Sequence, residues 1–137
     1  MKTAILTMSC AAFLVVAGLS PALAAGPGFG QVVDGVDGRK NTKLAAKENW
    51  KKFKGQEVSW SGVVHEVDSK GSKEVKIYVA DKSRPLYKGY NIALITHEIE
   101  KAAKLKRGQT IRFKGIVDNF DSKDPGAVVE LKEVQLP

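Results

Sequence analysis

Residues 106–115 read KRGQTIRFKG, and this stretch decides the fold class. Apolar Ile111 and Phe113 alternate with two basic residues, which is the period of two expected for a β-strand with one face in a core. Gly115 interrupts the alternation, and a glycine inside a strand marks a bulge or a sharp bend in the sheet. The stretch therefore predicts a strand over residues 110–120 in a curved sheet.

Four other segments share this period, so the chain is predicted to contain five strands. The predicted strands cover residues 57–67, 74–80, 90–95, 110–120 and 128–134. In the first of them Val58 and Trp60 share one face, and Gly62 marks a further bend. The side chains expected at the centre of the closed sheet are Val58, Ile77, Phe113 and Leu131.

Two segments have a helical period instead. Residues 41–55 place Ala46, Trp50 and Phe53 four and three residues apart, which forms one apolar stripe. Residues 96–107 begin with a threonine that can cap a helix, carry glutamates early and basic residues late, and end before a glycine. The predicted order is helix, three strands, helix and two strands.

The first 40 residues differ in composition from the rest. Residues 1–24 combine Lys2, an apolar run and small residues near Ala24, which predicts a secretory signal peptide cleaved after Ala24. The alternative is an N-terminal anchor that is retained. Residues 25–40 are rich in glycine and short polar residues, and we interpret them as a flexible leader.

Cleavage defines the mature chain and its chemistry. Removing 24 of the 137 residues leaves 113, the size of one domain, and lowers the formal net charge from +7 to +6 because Lys2 is lost. The only cysteine, Cys10, leaves with the signal, which excludes disulfides and thiolate sites from the mature domain. We expect a bacterial protein of the periplasm or the exterior, with no membrane span after cleavage.

Three segments carry a resemblance to a known family. They are residues 55–64 (GQEVSWSGVV), 106–115 and 128–131 (VVEL). With the predicted element order, they resemble the tRNA-anticodon-like OB domains of exported bacterial proteins and, less closely, the bacterial OB-fold family linked to stress tolerance. The resemblance covers residues 41–135. It implies an all-β domain with two helices: a five-stranded OB-fold Greek-key barrel, a helix between strands three and four, and an extra N-terminal helix.

Residues with catalytic or metal-binding chemistry are few. His65 and His97 are the only histidines, which excludes multi-histidine zinc sites. The aspartates between 118 and 124 lack the spacing of a calcium-binding loop. Neither a G-x-S-x-G nucleophile motif nor a phosphate-binding glycine loop occurs. Spacing alone does not exclude a serine–histidine–carboxylate group, but neither histidine has a marked partner, and we predict no catalytic residue, no metal and no cofactor.

Binding is then the remaining class of function. The resemblance implies a ligand face around strands two and three, flanked by the loops between strands one and two and between strands four and five. Basic residues alternate with aromatic ones there, as in proteins that hold single strands. The candidate ligand-binding residues are Lys70, Lys73, Lys76, Tyr78, Arg84, Tyr87, Lys88, Arg112, Lys114, Phe120 and Lys123.

Two functions fit this pattern. The first is a non-enzymatic module that binds a polyanion, an oligonucleotide or a glycan. The alternative is a protein–protein interaction or stress-response module of the envelope, which would use the barrel edge or the helix of Trp50. Lysines on outer strand faces also serve solubility and protect strand edges, so the charge pattern leaves the ligand and the oligomeric state open.

Overall fold

The computed structural model of the protein describes residues 26–123 and 126–137. The predicted signal peptide, residues 1–24 with Cys10, lies outside the described residues, as does Asp124. Within the described part of the chain, no helix is both long enough and apolar enough to cross a membrane.

Five strands form the body of the domain. They are β1 (Glu57–Lys70), β2 (Glu74–Ala80), β3 (Ile92–Thr96), β4 (Thr110–Lys123) and β5 (Gly126–Gln135). They close into a barrel in the order β1-β2-β3-β5-β4. All neighbours are antiparallel except β3 and β5, which are parallel. The predicted five-stranded Greek-key barrel is confirmed.

The period of two predicts the inside of this barrel correctly. Val58, Ile77 and Leu131 are fully buried, and Phe113 is 3% exposed. These side chains alternate along their strands with exposed or half-buried polar residues. The core therefore forms as the alternation predicts, through removal of large aliphatic and aromatic side chains from water.

The two predicted bends have different origins. The register of β4 against β5 shifts between Lys114 and Ile116, so Gly115 is at a bulge as predicted. A Cβ atom there would come within 2.9 Å of a methyl group of Val134. In β1 the irregularity lies between Val64 and Glu66, at His65, rather than at Gly62. The Gly62 prediction missed the bulge by three residues.

Three helices accompany the barrel. They are α1 (Phe29–Val36), α2 (Lys43–Phe53) and α3 (Ile99–Ala103). Helix α2 begins as predicted, with the Thr42 hydroxyl oxygen accepting a hydrogen bond from the backbone N–H of Ala45 at 3.1 Å. Helix α3 lies between β3 and β4 as predicted but is much shorter than residues 96–107. Thr96 still belongs to β3, where its buried hydroxyl donates to the carbonyl of Val134.

Helix α1 corrects the predicted flexible leader over residues 25–40. Its apolar residues Phe29, Val32, Val33 and Val36 recur three, four and seven positions apart and are all buried in the barrel core. The Phe29 ring packs edge-on against Trp60 with centroids 5.3 Å apart. The Trp60 indole N–H also donates to the carbonyl of Pro27 at 2.9 Å. This segment is part of the folded domain.

The helices occupy opposite ends of the barrel. Asp34 of α1 forms an ion pair with Arg84, which lies in the loop after β2. Helix α3 instead contacts β2, and His97, just before α3, meets the carbonyl of Lys73 at the start of β2. Since the two ends of β2 lie at opposite ends of the barrel, α1 covers one opening and α3 the other.

We expect Phe29→Ala to destabilise the domain by about 3–5 kcal/mol, because it removes a buried aromatic ring and leaves a cavity against Trp60. Urea unfolding followed by tryptophan fluorescence measures this loss. Leu44→Ala is the matched control: Leu44 is 69% exposed on α2, and its truncation should change stability by no more than about 0.5 kcal/mol. Equal effects of the two variants would contradict the placement of α1 in the core.

Candidate ligand-binding face

Three tyrosines gather where β2 meets the chain leading into β3. The ring centroids of Tyr78 and Tyr90 are 4.6 Å apart, and those of Tyr87 and Tyr90 are 5.9 Å apart. Burial raises the pKa of the Tyr90 hydroxyl, which keeps it protonated and neutral. The cluster presents flat apolar surface beside polar hydroxyl groups, a combination suited to stacking.

A tight turn holds two of these rings in place. Tyr87 and Tyr90 exchange backbone hydrogen bonds of 2.7 and 3.1 Å. The residues between them, Lys88 and Gly89, have φ angles of +49° and +93°, as in a type I′ hairpin turn. A Cβ atom on Gly89 would collide with the ring of His65, whose ring also stacks near Tyr90 at 6.1 Å.

A small groove of about 80 Å³ lies beside Tyr78 and Tyr90. Its floor and opposite wall include Lys76, Ala93, Asn119, Asp121, Lys123 and Glu130. The side chains of Tyr78 and Glu130 alternate with buried core residues along β2 and β5, so the groove lies on the outer wall of the barrel. We call the three tyrosines together with this groove the tyrosine face.

Strand register builds the groove as one row of residues. Tyr78 pairs with Ala93, Ala93 pairs with Glu130, and Glu130 pairs with Asn119. Cross-strand neighbours project to the same side of a sheet, so these four side chains cross β2, β3, β5 and β4 side by side. The small Ala93 in the middle leaves the hollow.

Charges of both signs surround the tyrosine face. The Lys76 ammonium lies 3.4 Å from the Glu130 carboxylate and 5.6 Å from the centre of the Tyr78 ring. The ammonium groups of Lys88 and Lys123 each lie 5.4 Å from the centre of the Tyr87 ring, a cation–π distance. Within residues 26–123 and 126–137, neither Lys88 nor Lys123 forms an ion pair with a carboxylate.

The structure brings together about half of the residues predicted for the site. Those on the tyrosine face are Lys76, Tyr78, Tyr87, Lys88, Phe120 and Lys123. Phe120 lines the groove and also packs against Trp50 of α2, with ring centroids 4.7 Å apart.

The other predicted residues lie elsewhere. Arg112 and Lys114 are on the part of β4 that pairs with β1, opposite Ser61 and Ser59. Lys70 lies 3.8 Å from the Glu74 carboxylate, and the exposed Lys73 contributes only its carbonyl, to His97. Strand register therefore separates these cations from the tyrosine face.

Arg84 has a structural role in place of the predicted ligand contact. Its guanidinium donates two hydrogen bonds to the Asp34 carboxylate, at 2.8 and 2.7 Å. These bonds, with a further one from Lys40, lower the pKa of Asp34 to about 2. The buried Asn91 amide fixes the same loop through two 2.8 Å bonds with the backbone of Asp81. Arg84 therefore connects the loop after β2 to α1.

Sequence reasoning missed the polar half of the groove. Ala93, Asn119, Asp121, Glu130 and Tyr90 were not among the predicted residues. The outward position of Glu130 between Val129 and Leu131 follows from the alternation along β5. Its position beside Ala93 follows only from the parallel pairing of β3 with β5.

Acidic residues also lie next to the face. Glu66 and Asp68 of β1 pair with Tyr78 and Lys76 across the sheet, and Glu66 is bound by Arg107.

In the part of the chain that the structure describes, no group of three or more histidine, aspartate or glutamate side chains is arranged to hold a metal ion.

Comparison with known proteins identifies the fold. No protein-family model matches the sequence, and the curated proteins contain no sequence match. A lipoprotein of Klebsiella pneumoniae, described as a candidate nucleic acid binder, superposes with a TM-score of 0.54 at 13% identity, over 85% of this chain and 96% of that one. The domain has an OB-fold.

Two further structures have weaker similarity to this OB-fold. Asparaginyl-tRNA synthetase of Pyrococcus horikoshii matches with a TM-score of 0.43 and 20% identity over 62% of this chain. The chain spans only a fifth of the length of that synthetase. An OBody bound to hen egg-white lysozyme matches with a TM-score of 0.44 and 20% identity, over 62% of this chain and 84% of that one.

The contact between Arg84 and Asp34 predicts a specific pH dependence. The folded state lowers the pKa of Asp34 from 3.8 to about 2, so the carboxylate stabilises the fold above about pH 4 and loses this contribution as the pH falls towards 2. We expect Asp34→Asn to be less stable than wild type at pH 6 and equally stable near pH 2. Urea unfolding across this range measures the difference, and a gap that persists at pH 2 would contradict the ion-pair account.

Proposed function

We propose that this protein is an exported, non-enzymatic OB-fold module that binds a single-stranded oligonucleotide across the tyrosine face. The observation that carries the proposal is the cluster of Tyr78, Tyr87 and Tyr90 next to the ammonium groups of Lys88 and Lys123. Aromatic rings stack on bases of any sequence, and nearby cations follow the phosphates. The cluster lies on the face that OB-folds use for oligonucleotides and oligosaccharides.

Two observations outside the face support the proposal. The N-terminal 24 residues have the charge, apolar run and small residues of a secretory signal, which supports a role in the periplasm or outside the cell. The Klebsiella protein of similar fold is a lipoprotein that is described as a candidate nucleic acid binder. For that compartment we propose extracellular DNA as the source of the strand.

The charge balance favours a ligand held mainly by stacking. Lys76 is paired with Glu130, and Asp121 adds a negative charge to the groove. On the part of the tyrosine face that the structure describes, Lys88 and Lys123 remain for phosphates, which suits a strand with bases better than a densely charged glycan without them. A highly sulfated polymer would meet the same carboxylates without any gain from stacking.

The alternative of a protein-interaction module would use the barrel edge or the helix of Trp50. The barrel is closed by pairing of β1 with β4 and of β3 with β5, so the strand order of the described residues leaves no open edge. Trp50 packs against Phe120 and is partly buried against the core. Oligonucleotide binding therefore accounts for more of the exposed features.

We expect Tyr78→Ala and Tyr90→Ala each to weaken binding of an eight-nucleotide single-stranded DNA by roughly 5- to 150-fold, which corresponds to about 1–3 kcal/mol per stacked base. Fluorescence anisotropy of the labelled strand measures the dissociation constants. Lys114→Gln, on the distant part of β4, is the control and should bind within twofold of wild type. Thermal unfolding shows whether each variant is folded, and folded tyrosine variants with wild-type affinity would refute the proposal.

The proposal also predicts that the binding constant depends only weakly on the salt concentration. If Lys88 and Lys123 each neutralise one phosphate, the logarithm of the binding constant should fall with the logarithm of the salt concentration with a slope of about −1.4. We expect Lys88→Gln combined with Lys123→Gln to bring this slope close to zero. The matched pair Arg112→Gln with Lys114→Gln should leave it unchanged. A steep slope that responds only to the second pair would place the ligand on the β1–β4 side.

A further inference from the structure

The groove contains an ion pair of loose geometry. The Glu130 carboxylate is about 28% exposed, and its partner is the Lys76 ammonium. Its nearest cation, the Lys76 ammonium, lies 3.4 Å away, beyond the usual range for a strong charge-assisted bond. An acceptor and a donor thus stand side by side in the groove, each with unused bonding capacity.

The register places this pair where the edge of a bound base would lie. Two strand spacings separate Tyr78 from Glu130, about 9.5 Å, with only the Ala93 methyl group between them. A base that stacks against Tyr78 or Tyr90 and enters the hollow over Ala93 presents its hydrogen-bonding edge towards Glu130. Lys76 lies on the same side of the sheet as Tyr78, two residue pairs along.

Among the four DNA bases, guanine matches this pair best. Its Watson–Crick edge carries two adjacent donors, N1–H and N2–H, followed by the acceptor O6. A carboxylate accepts both donors at once, and an ammonium group beside it donates to O6. Cytosine and adenine offer one donor group beside an acceptor, and thymine flanks its single donor with two carbonyls that repel a carboxylate.

We infer that the groove is a guanine-preferring base subsite, in which Glu130 accepts hydrogen bonds from N1 and N2 and Lys76 donates to O6. This inference rests on the proposed function, because it requires a strand to lie on the tyrosine face. It adds a sequence preference that stacking alone does not supply, since every base has a π-face.

The experiment uses seven-nucleotide thymine strands with one central guanine, adenine, cytosine or thymine, and measures dissociation constants by fluorescence anisotropy. We expect the guanine strand to bind at least about fivefold more tightly than the all-thymine strand, as for a good bidentate base contact. A strand with hypoxanthine at the centre, which lacks the N2 amino group, should lose most of this preference.

Two variants of the same chemical change locate the contact. Glu130→Gln should abolish the preference for guanine, measured within that variant as the ratio of the dissociation constants of the guanine and all-thymine strands. Glu74→Gln removes the same charge from the same strand as Lys76 but outside the groove, and should keep the preference.

The outcomes separate this inference from the proposed function. Equal binding of all strands, together with weaker binding by Tyr78→Ala, would overturn the guanine subsite and leave the proposed function standing. A preference for guanine that survives Glu130→Gln would also overturn the assigned contact. Failure of wild-type protein to bind any strand at low salt would refute the proposed function and this inference with it.

Discussion

The parallel pairing of β3 with β5 is the constraint on which the rest of the molecule depends. It consists of three residue pairs, Ile92 with Val129, Ala93 with Glu130, and Leu94 with Leu131. The outer two pairs are fully buried and close the core, and the middle pair projects outward and forms the groove. A slip of one residue would exchange these roles and put a carboxylate into the core. One register therefore fixes both the stability of the barrel and the composition of its candidate site.

Local patterns predicted the barrel well, because the alternation of apolar and polar residues is set by a half-buried strand and needs no knowledge of neighbours. The same approach failed for α1. Glycines at 28, 30, 35 and 38 suggested a flexible leader, although Phe29, Val32, Val33 and Val36 already form a helical stripe. The periodic stripe is a stronger signal of a packed helix than the glycine content is of a flexible segment. The end of β3 at Thr96 was missed for another reason: its buried hydroxyl bonds to a residue 38 positions away.

The candidate site was only half predictable for the same physical reason. Tyr78 and Lys76 follow from alternation along β2, and the loop supplies Tyr87 and Lys88 nearby in sequence. Whether a charged side chain is free to bind a ligand depends on partners that are distant in the sequence. Arg84, for example, is bound to a carboxylate 50 residues away. Strand closure likewise decides that Lys114 lies apart from Lys76. A count of cations in the sequence therefore overstates the positive charge available to a ligand.

The two helices at the ends of the barrel also determine how a ligand can approach. With α1 over one opening and α3 over the other, the interior is filled by the side chains of the core. Access is from the flank, across the strands. A groove on the outer wall does not require the free end of a polymer to enter it. A long polymer can therefore bind at any point along its length, with the chain on both sides of the contact remaining in solvent.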